Sequence, residues 1–132
     1  MQAGHTTLYP GAMQTASQLR EACQQLPGSA ETFPFGLDTL VLKVGGKVYA
    51  LIGLNEDPLT LSLKCDPERA GALRAAHTEI VPGYHLNERH WNTLTLGGNL
   101  PDALVSELLT HSYELVLGSL TKAQRAEIAQ GS

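Results

Sequence analysis

Leu40-Val-Leu-Lys-Val44, then Gly45-Gly46, then Lys47-Val-Tyr-Ala-Leu-Ile-Gly-Leu54 is the stretch whose reading decides the fold. Two apolar runs stand on either side of a glycine pair. The primed two-residue turns that close tight hairpins need positive φ, which glycine adopts without strain. The stretch therefore predicts an antiparallel hairpin. Asn55 to Pro58 reads as a second turn, and Leu59-Thr-Leu-Ser-Leu63 alternates apolar and polar residues, which predicts a third strand with one covered face.

Further outward, Ala30 to Phe35 reads as an edge strand, because Pro34 cannot donate to a ladder on both sides. Trp91-Asn-Thr-Leu-Thr-Leu96 predicts another strand, ended by Gly97-Gly98, with the Trp91 ring in the core. Helices fill the remaining stretches. Thr15 and Gln18 form a capping box ahead of Ala16, Leu19, Ala22, Cys23 and Leu26, and Pro27-Gly28 stops that helix. Asp66-Pro67-Glu68 pairs a capping carboxylate with a proline in the first turn, opening a helix that carries Ala70, Leu73 and Ala76 or His77 inward. Pro101 opens the longest helix, with Leu104, Val105, Leu108, Leu109, Ser112, Leu115 and Val116 on one face and Gly118 as its stop. Ser112-Tyr113 reads as core, its hydroxyl satisfied locally. Thr121 and Gln124 head a short last helix. The order α-β-β-β-β-α-β-α-α, with strands in runs, predicts an α+β domain: an antiparallel sheet with helices packed on one face and the other face open.

At 132 residues the chain is long enough for one domain, expected over residues 13–132, with residues 1–12 as a disordered lead. Cys23 and Cys65 are too few for a disulfide framework and read as buried, reduced thiols. Nine Lys plus Arg against thirteen Asp plus Glu leave a net charge of -4, which disfavours strong non-specific binding to nucleic acid or anionic membrane. The absence of an apolar run long enough to span a bilayer, and of a basic start followed by an apolar stretch, gives an expected cytoplasmic location.

Recognition side chains concentrate in V-P-G-Y-H-L-N-E-R-H-W-N at 81–92. Lys43 and Lys47 flank the hairpin tip, Lys64 ends the following strand, and Arg89 and His90 come near them if the last strand joins the meander. Together these make a small basic wing, with Tyr84 or Trp91 as a stacking surface, His85 beside it, and Asn87 or Asn92 placed to read a base edge. The same lysines also read as solubilising charges at hairpin ends. His85 and His90 lie at neither the helical nor the finger spacing of a zinc site, so no metal and no cofactor is expected. Nor is an enzyme, because no serine sits in a nucleophile-elbow context.

Three stretches, L-K-V-G-G-K-V-Y-A-L-I at 42–52, L-S-L-K-C-D-P-E at 61–68 and P-G-Y-H-L-N-E-R-H-W-N-T-L at 82–94, together resemble the MmcQ/YjbR family. Phe33-Pro34-Phe35-Gly36 and the segment Ser112 to Val116 fit the same pattern, so the likeness covers roughly residues 15–125. The resemblance implies a frataxin-like or double-wing α+β arrangement. It also implies duplex DNA as the partner, since members are commonly labelled DNA-binding from their likeness to a phage transcription-factor domain. Glu88 departs from the family pattern, which often has a basic residue before Arg89. The alternative partner is a protein or small ligand, held by an adaptor through an exposed sheet face.

Overall fold

The computed structural model describes residues 11–83 and 86–131, and Gly45 and Gly46 close the hairpin with φ of 59° and 81°. The elements in chain order are α1 (Ala16–Gln24), β1 (Ser29–Thr32), β2 (Thr39–Val44), β3 (Lys47–Gly53), β4 (Thr60–Lys64), α2 (Pro67–Ala76), β5 (Ile80–Pro82), β6 (Trp91–Thr95), α3 (Asp102–Ser119) and α4 (Lys122–Gly131). The strands form one six-stranded antiparallel sheet in the order β1-β2-β3-β4-β6-β5. The α+β class, the meander and the addition of β6 beside β4 agree with the sequence reading.

Capping chemistry explains the helix starts. The Thr15 hydroxyl accepts from the Gln18 amide while the Gln18 side chain takes the Thr15 amide, so two donors with no helical partner are satisfied at once. Thr121 and Gln124 repeat the arrangement at α4. At α2 the Asp66 carboxylate accepts from the Arg69 amide, with Pro67 in the first turn.

The core lies between one sheet face and the helices. Leu40, Leu42, Ile52, Leu61, Leu63 and Leu94 point from the strands toward Leu19 and Cys23 of α1 and Val105, Leu109 and Val116 of α3, all buried. The β2–β3 pairing shifts by one residue: Lys43 opposes Val48, but Leu42 opposes Ala50, so Tyr49 is an extra, unpaired residue. The bulge lets Tyr49 and Ala50 both face the core. Tyr49 meets Tyr113 edge-on at 5.5 Å and its hydroxyl bonds Ser29 Oγ. The Ser112 hydroxyl donates to the Tyr49 carbonyl at 2.6 Å and accepts from the Lys64 amide at 2.9 Å. Its bonds thus reach two strands rather than being satisfied locally.

Several expectations are corrected. Pro82 belongs to β5, a short edge strand absent from the expected element order; proline is tolerated there because β5 has a neighbour on one side alone. β1 ends at Thr32, and residues 33–38 form a loop fixed by a bridge between Pro34 and Gly36. Ala76 is exposed and Ala70 carries the burial of α2. Gly118 does not stop α3, which runs to Ser119 and breaks at the extended Leu120. Trp91 is half-buried on the sheet face opposite the core, because Trp91 alternates with the inward Asn92.

Candidate functional site

Strand alternation and register assign the residues of the face away from the helices. Leu63 opposes Asn92 and Leu61 opposes Leu94 on the helix side, so Ser62, Lys64, Trp91 and Thr93 share the other side. The Ser62 and Thr93 hydroxyls bond across it at 2.8 Å. On β2 and β3 this face takes Val41, Lys43, Val48 and Leu51, and on β1 it takes Thr32. Val41 and Thr93 are buried at its middle, which corrects the expectation of a wholly open face. Reading across the sheet at its hairpin end, Lys43, Val48, Lys64 and Trp91 form a row. Among the described strand residues, this face carries Lys43 and Lys64 as its charges and no carboxylate.

The other residues of the expected wing fall into different places. Lys47 opposes the inward Val44 and its Nζ reaches Ser119 Oγ at 3.4 Å, on the helix side at the C-terminal end of α3, where the helix dipole favours a cation. A Cβ on Gly45 would lie 2.5 Å from Leu120, so the hairpin tip rests on the α3–α4 junction. Asn92 is 2% exposed and faces the helices; its amide donates to the Ala70 carbonyl at 3.3 Å and its Oδ1 accepts from Arg74 at 2.8 Å. That amide has no edge left to offer a base, which corrects its reading as a base-contacting group. Asn87 is exposed, but its Oδ1 accepts from the Arg89 amide and shapes the 87–90 turn. Arg89 is exposed, and among the described residues its guanidinium has no hydrogen-bond or ion-pair partner. His90 is half-buried, and its carbonyl accepts from the Cys65 amide at 2.7 Å. Tyr84 and His85 lie outside the described residues.

Sequence reasoning missed Arg74. From α2 its guanidinium donates to the Glu88 carbonyl at 3.0 Å as well as to Asn92, tying the turn that presents Arg89 to the end of β6. Nothing in the local pattern marks it, since both partners are distant in sequence. Ser62 and Thr93 were visible as polar residues in alternating strands, though not as a pair.

The described residues hold no group of three or more His, Cys, Asp or Glu side chains placed for a metal ion. Cys23 is buried, and desolvation pushes its thiol up to about 11; burial raises the Cys65 thiol too. Both are poor nucleophiles in the native state. A small crevice beside Cys65, lined by Leu63, Leu73, Asn92, Leu94 and Leu108, is largely apolar. No described helix is long and apolar enough to cross a membrane.

These features define a class: an α+β protein whose helices back one face of a six-stranded antiparallel sheet, with a weakly cationic row at the hairpin end of the other face. The YjbR family model matches residues 24–115, and the chain belongs to that family. It is 32% identical over 116 residues to the uncharacterized protein YjbR of Escherichia coli strain K12, covering 88% of this chain and 98% of the relative. Over 107 residues it is 31% identical to the uncharacterized protein YbdF of Escherichia coli O157:H7, covering 81% and 88%. Among solved structures, Deinococcus radiodurans protein DR2400, with domain DUF419, is 51% identical with a TM-score of 0.85, covering 91% of this chain and 96% of that one. A Pseudomonas syringae protein is 28% identical with a TM-score of 0.67, covering 77% and 98%.

Proposed function

We propose that this chain is a non-enzymatic cytoplasmic protein that binds nucleic acid, duplex DNA first, through the hairpin end of the sheet face turned away from the helices. One observation carries the reading: in a chain with thirteen acidic and nine basic residues, the sheet face turned away from the helices holds Lys43 and Lys64 and no carboxylate among the described strand residues. Arg89 adds an exposed cation in the turn that leads into β6, and the Trp91 ring offers a surface for stacking. Lysine and arginine bind phosphate without sequence preference, so affinity is modest and strongly salt-dependent.

The test is fluorescence anisotropy of a labelled mixed-sequence duplex at about 50 and 200 mM salt. Three neutralised phosphates give a log–log salt slope of about -2.7, hence roughly a 40-fold loss of affinity across that range. Replacing Lys43, Lys64 and Arg89 with Ala, one at a time, reduces the slope by about 1 each. No binding at the lower salt, or a slope unmoved by the three substitutions, overturns the reading. A protein- or small-ligand-binding adaptor using the same face is the second reading, favoured by Val81, which is 44% exposed there. A salt-insensitive complex is its signature.

A further inference from the structure

The opposite end of the sheet has a different chemistry. Phe33, Phe35 and Leu37 are 40%, 73% and 78% exposed within one loop between β1 and β2. Large apolar side chains scattered singly on a surface are ordinary, but three in five residues make a patch. Their exposure is built in rather than a consequence of slack chain. The Pro34–Gly36 bridge, the Gly36 amide on the Phe33 carbonyl at 3.4 Å, and Gly36 at φ 98° set the turn. The Leu54 amide donates to the Asp38 carbonyl at 2.8 Å, fixing the loop's end beside the β3–β4 turn. Exposed Asp38 ends the same loop and exposed Glu56 and Asp57 lie in the adjoining β3–β4 turn, and among the described residues none of the three is in an ion pair. No Lys or Arg occurs in residues 21–42 or 48–63, so both segments that build this end are free of cations.

We propose that this end docks a cationic amphipathic segment of a partner protein, whose apolar side chains cover Phe35 and Leu37 while its lysines or arginines meet Asp38, Glu56 and Asp57. The carboxylates select the occupant. They repel nucleic acid and anionic membrane, and pairing this end with itself in a second copy would bring two sets of acids together. The surface is a projecting loop rather than a concavity, which suits a groove-bearing or helical protein segment better than a small molecule. This assignment is independent of the nucleic-acid reading, which uses the other end of the sheet.

The probe is a labelled 14-residue peptide of leucine and lysine at helical spacing, titrated into the full chain by anisotropy, with a lysine–serine peptide of equal charge as control. Saturable binding of the leucine–lysine peptide is expected, weakened at least tenfold by F35S with L37S, made less salt-sensitive by D38N with E56Q and D57N, and unchanged by K64A. Far-ultraviolet circular dichroism confirms that the variants fold. Equal binding of both peptides, no binding, or indifference to F35S with L37S overturns the proposal. So does a dimer of the unmodified chain in sedimentation that F35S with L37S converts to monomer, because the occupant is then a second copy.

Discussion

Replacing Ser112 with Ala should destabilise the fold more than any other removal of a single hydroxyl oxygen from α3. The Ser112 side chain is fully buried and its oxygen makes two bonds, to the Tyr49 carbonyl and the Lys64 amide, which lie 63 and 48 residues away. The bulge makes the first bond consequential, since Tyr49 is skipped in the β2–β3 ladder. Alanine strands a buried acceptor and a buried donor. Each lost bond costs about 1 kcal/mol net, and each group left dry adds to that, for about 2–4 kcal/mol in total. Alanine's better helix propensity returns about 0.5 kcal/mol. The net loss of about 1.5–3.5 kcal/mol compares with about 5–15 kcal/mol for a whole domain, and lowers Tm by on the order of 10 °C. Urea denaturation followed by circular dichroism measures it. Ser119→Ala is the control: its exposed hydroxyl donates to the Val116 carbonyl one turn back, so the change stays within about 0.5 kcal/mol. If Ser112→Ala and Ser119→Ala have the same midpoint, the hydroxyl clamp is not holding α3 to the sheet.

Arg74→Ala leaves the Asn92 Oδ1 buried without its donor and costs about 1–3 kcal/mol, and the amides of residues 87–90 exchange hydrogen faster; unchanged exchange in that turn would separate Arg74 from its positioning. Gly45→Ala destabilises more than Gly46→Ala, because both pay about 1 kcal/mol or more for positive φ while the first alone meets Leu120; equal midpoints in denaturant would contradict the packing of the tip. Glu31→Gln flattens the acid limb of the stability curve. The Arg20 guanidinium, bonded to Glu31 at 2.7 and 2.8 Å, holds that carboxyl below its usual range, so its contribution is present above the unfolded carboxylate pKa of about 4.3 and is lost as pH falls through the lower folded value. Denaturant midpoints at about pH 6 and pH 3 for both chains decide it: an equal drop in the two would show that the pair carries no acid sensitivity.

The sheet was legible because its signals are local. Gly45-Gly46 fixes one turn, Leu59 to Leu63 alternates without interruption, and Thr15 with Gln18 and Thr121 with Gln124 announce helix starts within four residues. What escaped depends on partners far along the chain. β5 is three residues with a proline, too short for any periodicity, and it exists because β6 offers an edge. Trp91 and Asn92 were both read as outward or inward by residue type, but phase decided: Asn92 opposes Leu63, so the amide went in and the indole went out. The Tyr49 bulge likewise hides inside an unbroken apolar run, where an extra residue leaves no mark. Lys43 and Lys64 shared a face as the strand phases predict, whereas Lys47, four residues after Lys43 and across the turn, went to the helix side.

The two ends of the strand order restrict how this molecule can meet another copy of itself. β1 offers four residues before the Phe33–Pro34 turn, and β5 offers three, the last of them Pro82, which has no amide hydrogen to give. A seventh strand from a neighbour would find few donors in line on either side, so cross-chain sheet extension, the usual route from a β protein to a fibril, is disfavoured at both margins. The width of the sheet is thus set by its own two margins, at six strands.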